Sequence, residues 1–379
     1  MFVYKSMRHK ILFISSWYPN KLEPTNGNFV QRHAEAVSTL HEVEVLHAIG
    51  DRAQQEKFIF DDKNINSLRT LIVYYKQTQN PALNFVRRMQ AYKKGFSKLN
   101  KPDLVHANVL QNNMFFAVYL KNKYKIPFVV TEHWSGFLQI NRHRLSKLQL
   151  FTAKRIAEKA SFLLPVSQYL SKDLKTAGIQ TKIEVIGNVV DTDLFNIKKA
   201  TPAKFTFLHI SNLICIKNPD KIIAAAVRLS KEFSNFELQI GGDGDVDTLN
   251  KLIKSQHAEG FIKTFPMLTS KEVSDKMRNS NCFILFSDYE NFPCVLLESL
   301  STGTPAIATK VGGIPEILNE KNGILIGNSE DELYHAMKKV LTAQIHFEEP
   351  NKLHEYVENN FSINKIAQKY SHIYSQVLN

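Results

Sequence analysis

Short apolar runs separated by stretches of helical periodicity organise this chain from end to end. In the first half the runs fall at 11–15, 43–47, 71–75, 104–107, 128–131, 162–166 and 183–186. Runs of this length, bounded by polar and turn-forming residues, read as buried strands. The intervening stretches 28–40 and 114–124 carry the i, i+3, i+4 spacing of amphipathic helices, so the expected arrangement is α/β with a mainly parallel sheet. The series then restarts. Strand-like runs at 205–210, 236–241, 262–264, 282–286, 305–308 and 323–326 alternate with helices expected after Pro219, Val246, Ser270, Val295, Pro315 and Glu330.

Between the two series, residues 193–203 are polar and contain Lys198-Lys199-Ala200-Thr201-Pro202, the best linker in the chain. Two doubly wound domains are therefore expected, 1–195 and 196–361, with a cleft between them as the favoured ligand site. A last helical stretch, 362–379 with Ser362 as its N-cap, either closes the second domain or crosses back to the first.

Composition narrows the class without changing this picture. A 379-residue chain with 44% hydrophobic residues and no low-complexity tract can bury two ordinary cores. Cys215, Cys282 and Cys294 are odd in number and lack metal-ligand spacing, which suits reduced thiols in a cytoplasmic protein. Lys5, Arg8 and Lys10 precede the apolar run 11–14 in the manner of a signal peptide, but that run is too short and ends at Ser15-Ser16-Trp17-Tyr18-Pro19. Met7, just before the first strand, is read as an alternative start. No window reaches the apolar length of a membrane span.

Charge is unevenly spread. Residues 1–195 hold 28 Lys and Arg against 15 Asp and Glu, a net +13, and residues 196–379 a net −1. Such asymmetry fits an anionic partner for the first half, a membrane surface or a phosphate-bearing substrate, or else a set of solvated lysines. Nucleic acid is not expected, since no recognised binding motif is present. The stretch 81–98 adds a helix with Phe85, Met89, Tyr92 and Phe96 on one stripe and Arg87, Arg88, Lys93, Lys94 and Lys98 off it. It is either core packing with a solvated face or a helix able to rest on an anionic bilayer.

The chemistry concentrates in the second half. Glu290 and Glu298 flank Asn291-Phe292-Pro293-Cys294, one carboxylate on the loop leaving a buried strand and the other on the first turns of the next helix. Ligands of open α/β sheets bind at the carboxyl ends of strands, so both groups belong near a crevice. Gly312-Gly313-Ile314-Pro315 follows another strand and is expected to open a helix whose free N–H groups face an anion. Gly241-Gly242-Asp243-Gly244 lacks the third glycine of a dinucleotide fingerprint and reads as a tight turn beside a nucleotide. Lys217, on the loop after 205–210, can reach a phosphate at the mouth of the same sheet.

Taken together, these residues resemble the family-4 retaining glycosyltransferases of GT-B fold, which have two facing Rossmann-like domains and an interdomain cleft. The resemblance covers nearly the whole chain and is most specific from Ser287 to Glu316, where Glu290 through Glu298, Ser301-Thr302-Gly303-Thr304-Pro305 and Gly312-Gly313-Ile314-Pro315-Glu316 keep the family's order and spacing. It implies that Glu298 holds the ribose hydroxyls of a nucleoside diphosphate sugar. It further implies that Glu290 lies at the donor sugar beside the amides of Asn291, Phe292 and Cys294, and that Lys217 binds the diphosphate. Pro293 replaces a common glycine, and Asn212 stands where the family usually has a second, basic phosphate ligand. Gly242 lies at the nucleotide turn, and Pro266 and Met267 match the segment packed on the nucleobase. In the first half, Gly27 in the loop after strand one, which also holds Trp17-Tyr18-Pro19, matches a donor- and acceptor-facing loop, and His133 matches a histidine that contacts the donor sugar.

The resemblance implies transfer without a covalent nucleophile, with Glu290, His133 and Lys217 as the catalytic group, no metal and no resident cofactor. The acceptor would be a saccharide or a lipid-linked saccharide, in surface polysaccharide biosynthesis, with the enzyme in the cytoplasm or peripheral on the inner membrane face. A sugar-nucleotide epimerase or hydrolase on the same architecture and a non-catalytic saccharide-binding scaffold are the competing readings.

Overall fold

The computed structural model describes residues 8–197 and 204–379, so Met7 and the linker 198–203 lie outside the described residues. The chain divides into two compact units. One comprises the described residues up to Val189 together with Ile363–Asn379, the other Val190–Ser362.

In the first unit the order is β1 (Lys10–Ser15), α1 (Asn28–Ser38), β2 (Glu42–Asp51), β3 (Phe58–Ile65), β4 (Leu68–Lys76), α2 (Pro81–Phe96), β5 (Leu104–Asn108), α3 (Phe115–Tyr124), β6 (Phe128–Glu132), α4 (Lys147–Ala157), β7 (Leu163–Pro165) and α5 (Gln168–Thr176). The strands form one sheet in the order β3-β4-β2-β1-β5-β6-β7, parallel except for β3. β3 is absent from the sequence reading. It pairs antiparallel with β4 through a two-residue turn, Asn66-Ser67, both at positive φ, which is the mirror-image turn that tight hairpins favour. The expected strand at 183–186 makes only one bridge, Ile183 to Leu163.

The second unit runs β8 (Phe205–Ser211), α6 (Pro219–Ser230), β9 (Phe236–Gly242), α7 (Val246–Ser255), β10 (Ile262–Phe265), α8 (Ser270–Arg278), β11 (Cys282–Leu285), α9 (Cys294–Ser301), β12 (Ala306–Thr309), β13 (Gly323–Ile326), α10 (Glu330–Leu341) and α11 (Pro350–Phe361). Its sheet is wholly parallel in the order β10-β9-β8-β11-β12-β13. The residues expected to open a helix at Pro315 make only a single 3-10 turn, Ile314–Glu316, because the chain turns away after Ile317 toward β13. No α-helix begins between Gly312-Gly313 and β13.

The division between units falls at Val189, ahead of the polar stretch at 193–203. Hydrogen bonds tie the following residues to the second unit: Val190 N–H donates to the Phe361 carbonyl (2.9 Å), Ser274 Oγ to the Leu194 carbonyl (2.7 Å) and Ser301 Oγ to the Phe195 carbonyl (2.7 Å). After Ser362 the last helix, α12 (Ile363–Leu378), belongs to the first unit and lies along α1. Its Ile366, Tyr370, Ile373 and Tyr374 are buried in the core that holds Ile11, Phe13, Val30 and Val129.

Two of those side chains carry polar tips into that core. Tyr370 Oη lies 2.8 Å from His33 Nδ1 and 3.3 Å from Thr131 Oγ1, and His106 sits between Thr131 Oγ1 and Tyr374 Oη at 2.6 Å each. Buried polar atoms need such partners, and losing one leaves the other desolvated and unpaired. Tyr374→Phe is expected to destabilise the first unit by about 1–3 kcal/mol. Urea unfolding followed by tryptophan fluorescence checks this, because the chain's two tryptophans, Trp17 and Trp134, both belong to that unit.

Candidate active site

A doubly wound sheet opens a crevice where neighbouring strands send their connections to opposite faces. In the second unit that point lies between β8 and β11, so the loops 212–218 and 286–293 flank it. Lys217 comes from the first loop and Glu290 from the second, and their Nζ and Oε1 atoms form an ion pair with side chains only 16% and 10% exposed. Ser287 Oγ donates a further bond to the same carboxylate oxygen at 2.8 Å.

Both loops are braced from below. Asp288 N–H donates to the Ile216 carbonyl (2.9 Å), and Asn218 Nδ2 reaches the Phe286 carbonyl (3.2 Å) and Asp288 Oδ1 (2.8 Å). Thr309 at the end of β12 donates through Oγ1 to the Ser287 carbonyl (2.7 Å) and accepts from Ser287 N–H (3.1 Å). Gly312 then turns at φ +54°, and a Cβ there would run into the Glu290 carbonyl oxygen. The glycine pair thus serves as a close backing for the Glu290 loop, held by the Gly313 N–H bond to the Asn291 carbonyl at 3.1 Å.

The loop after β8 is pinned by a buried histidine. His209 Nδ1 lies 2.9 Å from the Ile284 carbonyl, which only accepts, so Nδ1 carries the proton and Nε2 accepts from Ser211 Oγ at 2.9 Å. Burial, with Lys217 nearby, pushes the His209 pKa down to about 4, so the ring stays neutral. Ser211 Oγ accepts in turn from Leu213 N–H (3.0 Å), fixing the loop that exposes Asn212. Gly242, at φ +135° opposite Ser211, leaves no room for a side chain against the Ser211 carbonyl.

Glu298 is buried on α9, which starts at Cys294 directly after the Glu290 loop with Pro293 as N-cap. Phe292 is also buried, its ring centroid 5.6 Å from that of Phe361. Pro266 and Met267 are exposed and follow β10, whose last residue, Phe265, stands in register with Gly241. The strand order therefore gathers Asn212, Lys217, Gly242, Glu290, Asn291 and Pro266 at one edge of this sheet. His133 and Gly27 belong to the other unit.

There the equivalent point lies between β1 and β5. Gly27 is the N-cap of α1, its carbonyl accepting from Val30 N–H (2.9 Å) and Gln31 N–H (3.2 Å). His133, just after β6, has Phe29 and His33 of α1 around it, ring centroids 4.5 and 5.1 Å away, and burial holds its pKa well below the usual range. Two features escaped the sequence reading. Val109, at the end of β5, sits at φ +62°, a strained conformation for a β-branched residue. Glu132, wholly buried beside His133, accepts from Leu110 N–H (2.7 Å) through one oxygen and Trp134 N–H (2.6 Å) through the other. It thereby ties the strained turn after β5 to the loop carrying His133. An acidic residue at the end of an apolar run, next to a singled-out histidine, was the available signal.

Among the described residues no group of three or more His, Cys, Asp or Glu side chains is placed to hold a metal ion, and no helix is long and apolar enough to cross a membrane.

Comparison with known proteins agrees with the architecture. The model described as Glycosyltransferase Family 4 matches residues 27–194, and that described as Glycosyl transferases group 1 matches 190–360. Among curated relatives, N-acetyl-alpha-D-glucosaminyl L-malate synthase of Bacillus anthracis is 27% identical over 210 residues, 52% of this chain and 54% of that protein. The match thus spans about half of that relative's length, as it does for the sulfoquinovosyl transferase SQD2 of Arabidopsis thaliana, 26% identical over 61% of this chain and 48% of that protein. The putative teichuronic acid biosynthesis glycosyltransferase TuaC of Bacillus subtilis (strain 168) is 23% identical over 97% of this chain and 98% of its own. Sucrose-phosphate synthase of Thermosynechococcus elongatus superposes with a TM-score of 0.78 at 17% identity, covering 98% and 99% of the two chains. HepE of Anabaena in complex with UDP gives 0.75 at 18%, covering 97% and 100%. The fold is GT-B, and the chain belongs to the family-4 type of glycosyltransferases.

The buried titratable groups of the first unit oppose one another in their pH response. Burial pushes His33 down to about 3 and His47 to about 4, so unfolding takes up protons below about 6.5 and stability falls with acid. Burial raises Glu132 to about 7, so its contribution runs the other way, present at low pH and lost as pH rises through about 7. Glu132→Gln is expected to steepen the acid loss between about pH 7 and 4.5, and to lower stability throughout because an amide has one acceptor oxygen for two N–H donors. Tryptophan-monitored urea midpoints across that range read both effects.

Proposed function

We propose that this protein transfers a sugar, with retention of anomeric configuration, from a nucleoside diphosphate sugar to a saccharide or lipid-linked saccharide acceptor. The observation that carries the reading is the nearly buried Lys217–Glu290 pair at the crevice of the second sheet. It is supported by family membership and by HepE, solved in complex with UDP and with UDP-glucose.

In the reaction the acceptor oxygen attacks the anomeric carbon on the face that the diphosphate leaves. The bond from that carbon to the diphosphate oxygen breaks with its electron pair on the leaving group, and a diphosphate oxygen takes the acceptor proton. Lys217 offsets the charge that gathers on the leaving phosphate, and the backbone N–H groups about Asn291 and Cys294 add fixed dipoles. Glu290, tied by Ser287 and Lys217, orients donor hydroxyls, and Glu298 holds the ribose. Asn212 offers no positive charge, so neutralisation leans on Lys217. Pro266 and Met267 face the base. We place this activity in the cytoplasm, in the assembly of a surface polysaccharide.

A nucleotide that binds only the folded protein raises its melting temperature, by about 2.7 kcal/mol of stabilisation at a hundredfold excess over Kd. One of UDP, GDP and ADP is expected to do so in the wild type, and Glu298→Ala to abolish the response. Lys217→Ala is expected to lower kcat by roughly 10²–10³. Mass spectrometry of acceptor incubated with the matching sugar nucleotide reads the transfer itself. Free sugar or an isomerised nucleotide with no glycosylated acceptor would replace this reading by hydrolysis or epimerisation, and no response to any nucleotide with no turnover would favour a scaffold.

A further inference from the structure

The segment from Gln139 to Arg155 in the first unit leaves large apolar side chains in water. Leu148 is 69% exposed, Phe151 55% and Ile140 55%, among the most exposed large hydrophobics of the described residues. Leu148 and Phe151 stand three apart at the start of α4, so they project from one face of the helix. Only its far half packs, through Ala153, Ile156 and Ala157. The exposed start is nonetheless held helical by its own capping box, Gln149 N–H to Ser146 Oγ (3.1 Å) and Ser146 N–H to Gln149 Oε1 (2.8 Å).

Charge on this segment has one sign. Between Glu132 and Glu158 there are five Lys and Arg and no Asp or Glu. Arg142 is engaged inside, with Nη2 2.8 Å from Thr176 Oγ1, but Arg144 and Lys147 are exposed on either side of the helix start. The base of the segment is fixed, since Gln139 N–H donates to Asp173 Oδ2 of α5 at 2.8 Å. By contrast the arginines of α2 are engaged, Arg87 Nη1 with the Lys76 carbonyl (2.5 Å) and Arg88 Nε with the Tyr75 hydroxyl (3.0 Å), while the exposed Lys93, and Lys98 beyond the helix end, lie over the rings of Tyr119 and Phe60.

We propose that this segment is a docking surface for an anionic lipid bilayer, with Leu148 and Phe151 entering the headgroup boundary and Arg144 and Lys147 meeting lipid phosphates. Arg155 is paired with Glu158 at 3.2 Å, which leaves Arg144 and Lys147 as the exposed charges beside Leu148, and a capped helix start with apolar side chains next to such charges fits a surface that is apolar below and anionic above. A protein partner would be expected to answer the apolar face with a shaped pocket, whereas a bilayer accepts side chains of any outline. The proposal does not rest on the transfer reading, since neither lipid binding nor its loss requires turnover.

Co-sedimentation of the full chain with vesicles of three parts phosphatidylcholine to one of phosphatidylglycerol tests it, with pure phosphatidylcholine as the neutral arm. The wild type is expected to bind the anionic vesicles and not the neutral ones. Leu148→Ser with Phe151→Ser, and separately Arg144→Glu with Lys147→Glu, are each expected to weaken binding by about tenfold or more. All four side chains are exposed, so tryptophan-monitored unfolding should be unchanged in both variants. A wild type that ignores anionic vesicles overturns the proposal. So does an apolar variant that binds as the wild type does, which would reduce the attraction to the general charge of the first half. Self-association in sedimentation velocity that the apolar variant abolishes would assign the face to a second copy instead.

Discussion

Parallel strands constrain this protein more than any single contact does. Every strand of the second sheet runs the same way, so all the connections that leave carboxyl ends emerge at one edge, and residues distant in sequence are delivered together without any one of them having to reach. Lys217 and Glu290 meet across 73 positions of chain because β8 and β11 are neighbours. The same constraint acts in the first unit, where the loops after β1, β5 and β6 supply Trp17, Val109 and His133. Helices pack the faces and decide nothing about this edge except where a loop must end.

Placing a lysine and a glutamate together with little water around them is costly unless each is answered, and removing one partner leaves the other stranded. Here the answer is overdetermined. Ser287 supports the carboxylate, Asp288 and Asn218 lock the two loops to each other, and Gly312 lets the next connection press directly against the Glu290 backbone. Such bracing sets the positive and negative groups before any ligand arrives, which is the condition for electrostatic help that needs no rearrangement during reaction. An arriving diphosphate would compete with Glu290 for the ammonium group, so in the proposed reaction the pair also shields Lys217 from other anions.

Much of this was legible in the linear chain because strands buried on both faces read as short continuous apolar runs, and those at Phe205, Phe236 and Cys282 stand clear of their neighbours. What escaped has physical reasons. β3 is an edge strand carrying Asp61, Asp62 and Lys63, and its Asn66-Ser67 turn holds no glycine, so neither pattern nor turn residue announces it. Ile183 lies at the margin of the sheet and makes a single bridge, which periodicity cannot distinguish from a strand. Pro315 suits a first helical turn whether or not a second turn follows. The polar contacts of His33 and His106 are invisible because their partners are set by topology, 337 and 268 positions away. Lys217 and Glu290 sit on loops that the strand pattern itself marks, and most of the other candidate site residues were named from the family resemblance, whereas Glu132 and Ser287 act through neighbours that only the fold supplies.

The return of α12 to the first unit also bears on the order in which the chain can be assembled. Residues 190–362 form a contiguous unit and can close as soon as they have been synthesised, but the first unit must wait for residues 363–379. Until then the imidazole of His106 and the hydroxyl of Thr131 lack their tyrosine partners, and a strip of apolar surface along α1 stays open. Domains are usually taken to mature from the N-terminus during synthesis. In this chain the first unit is completed after the second, so a ribosome stalled just after residue 362 has emerged would carry a finished second unit and an unfinished first one.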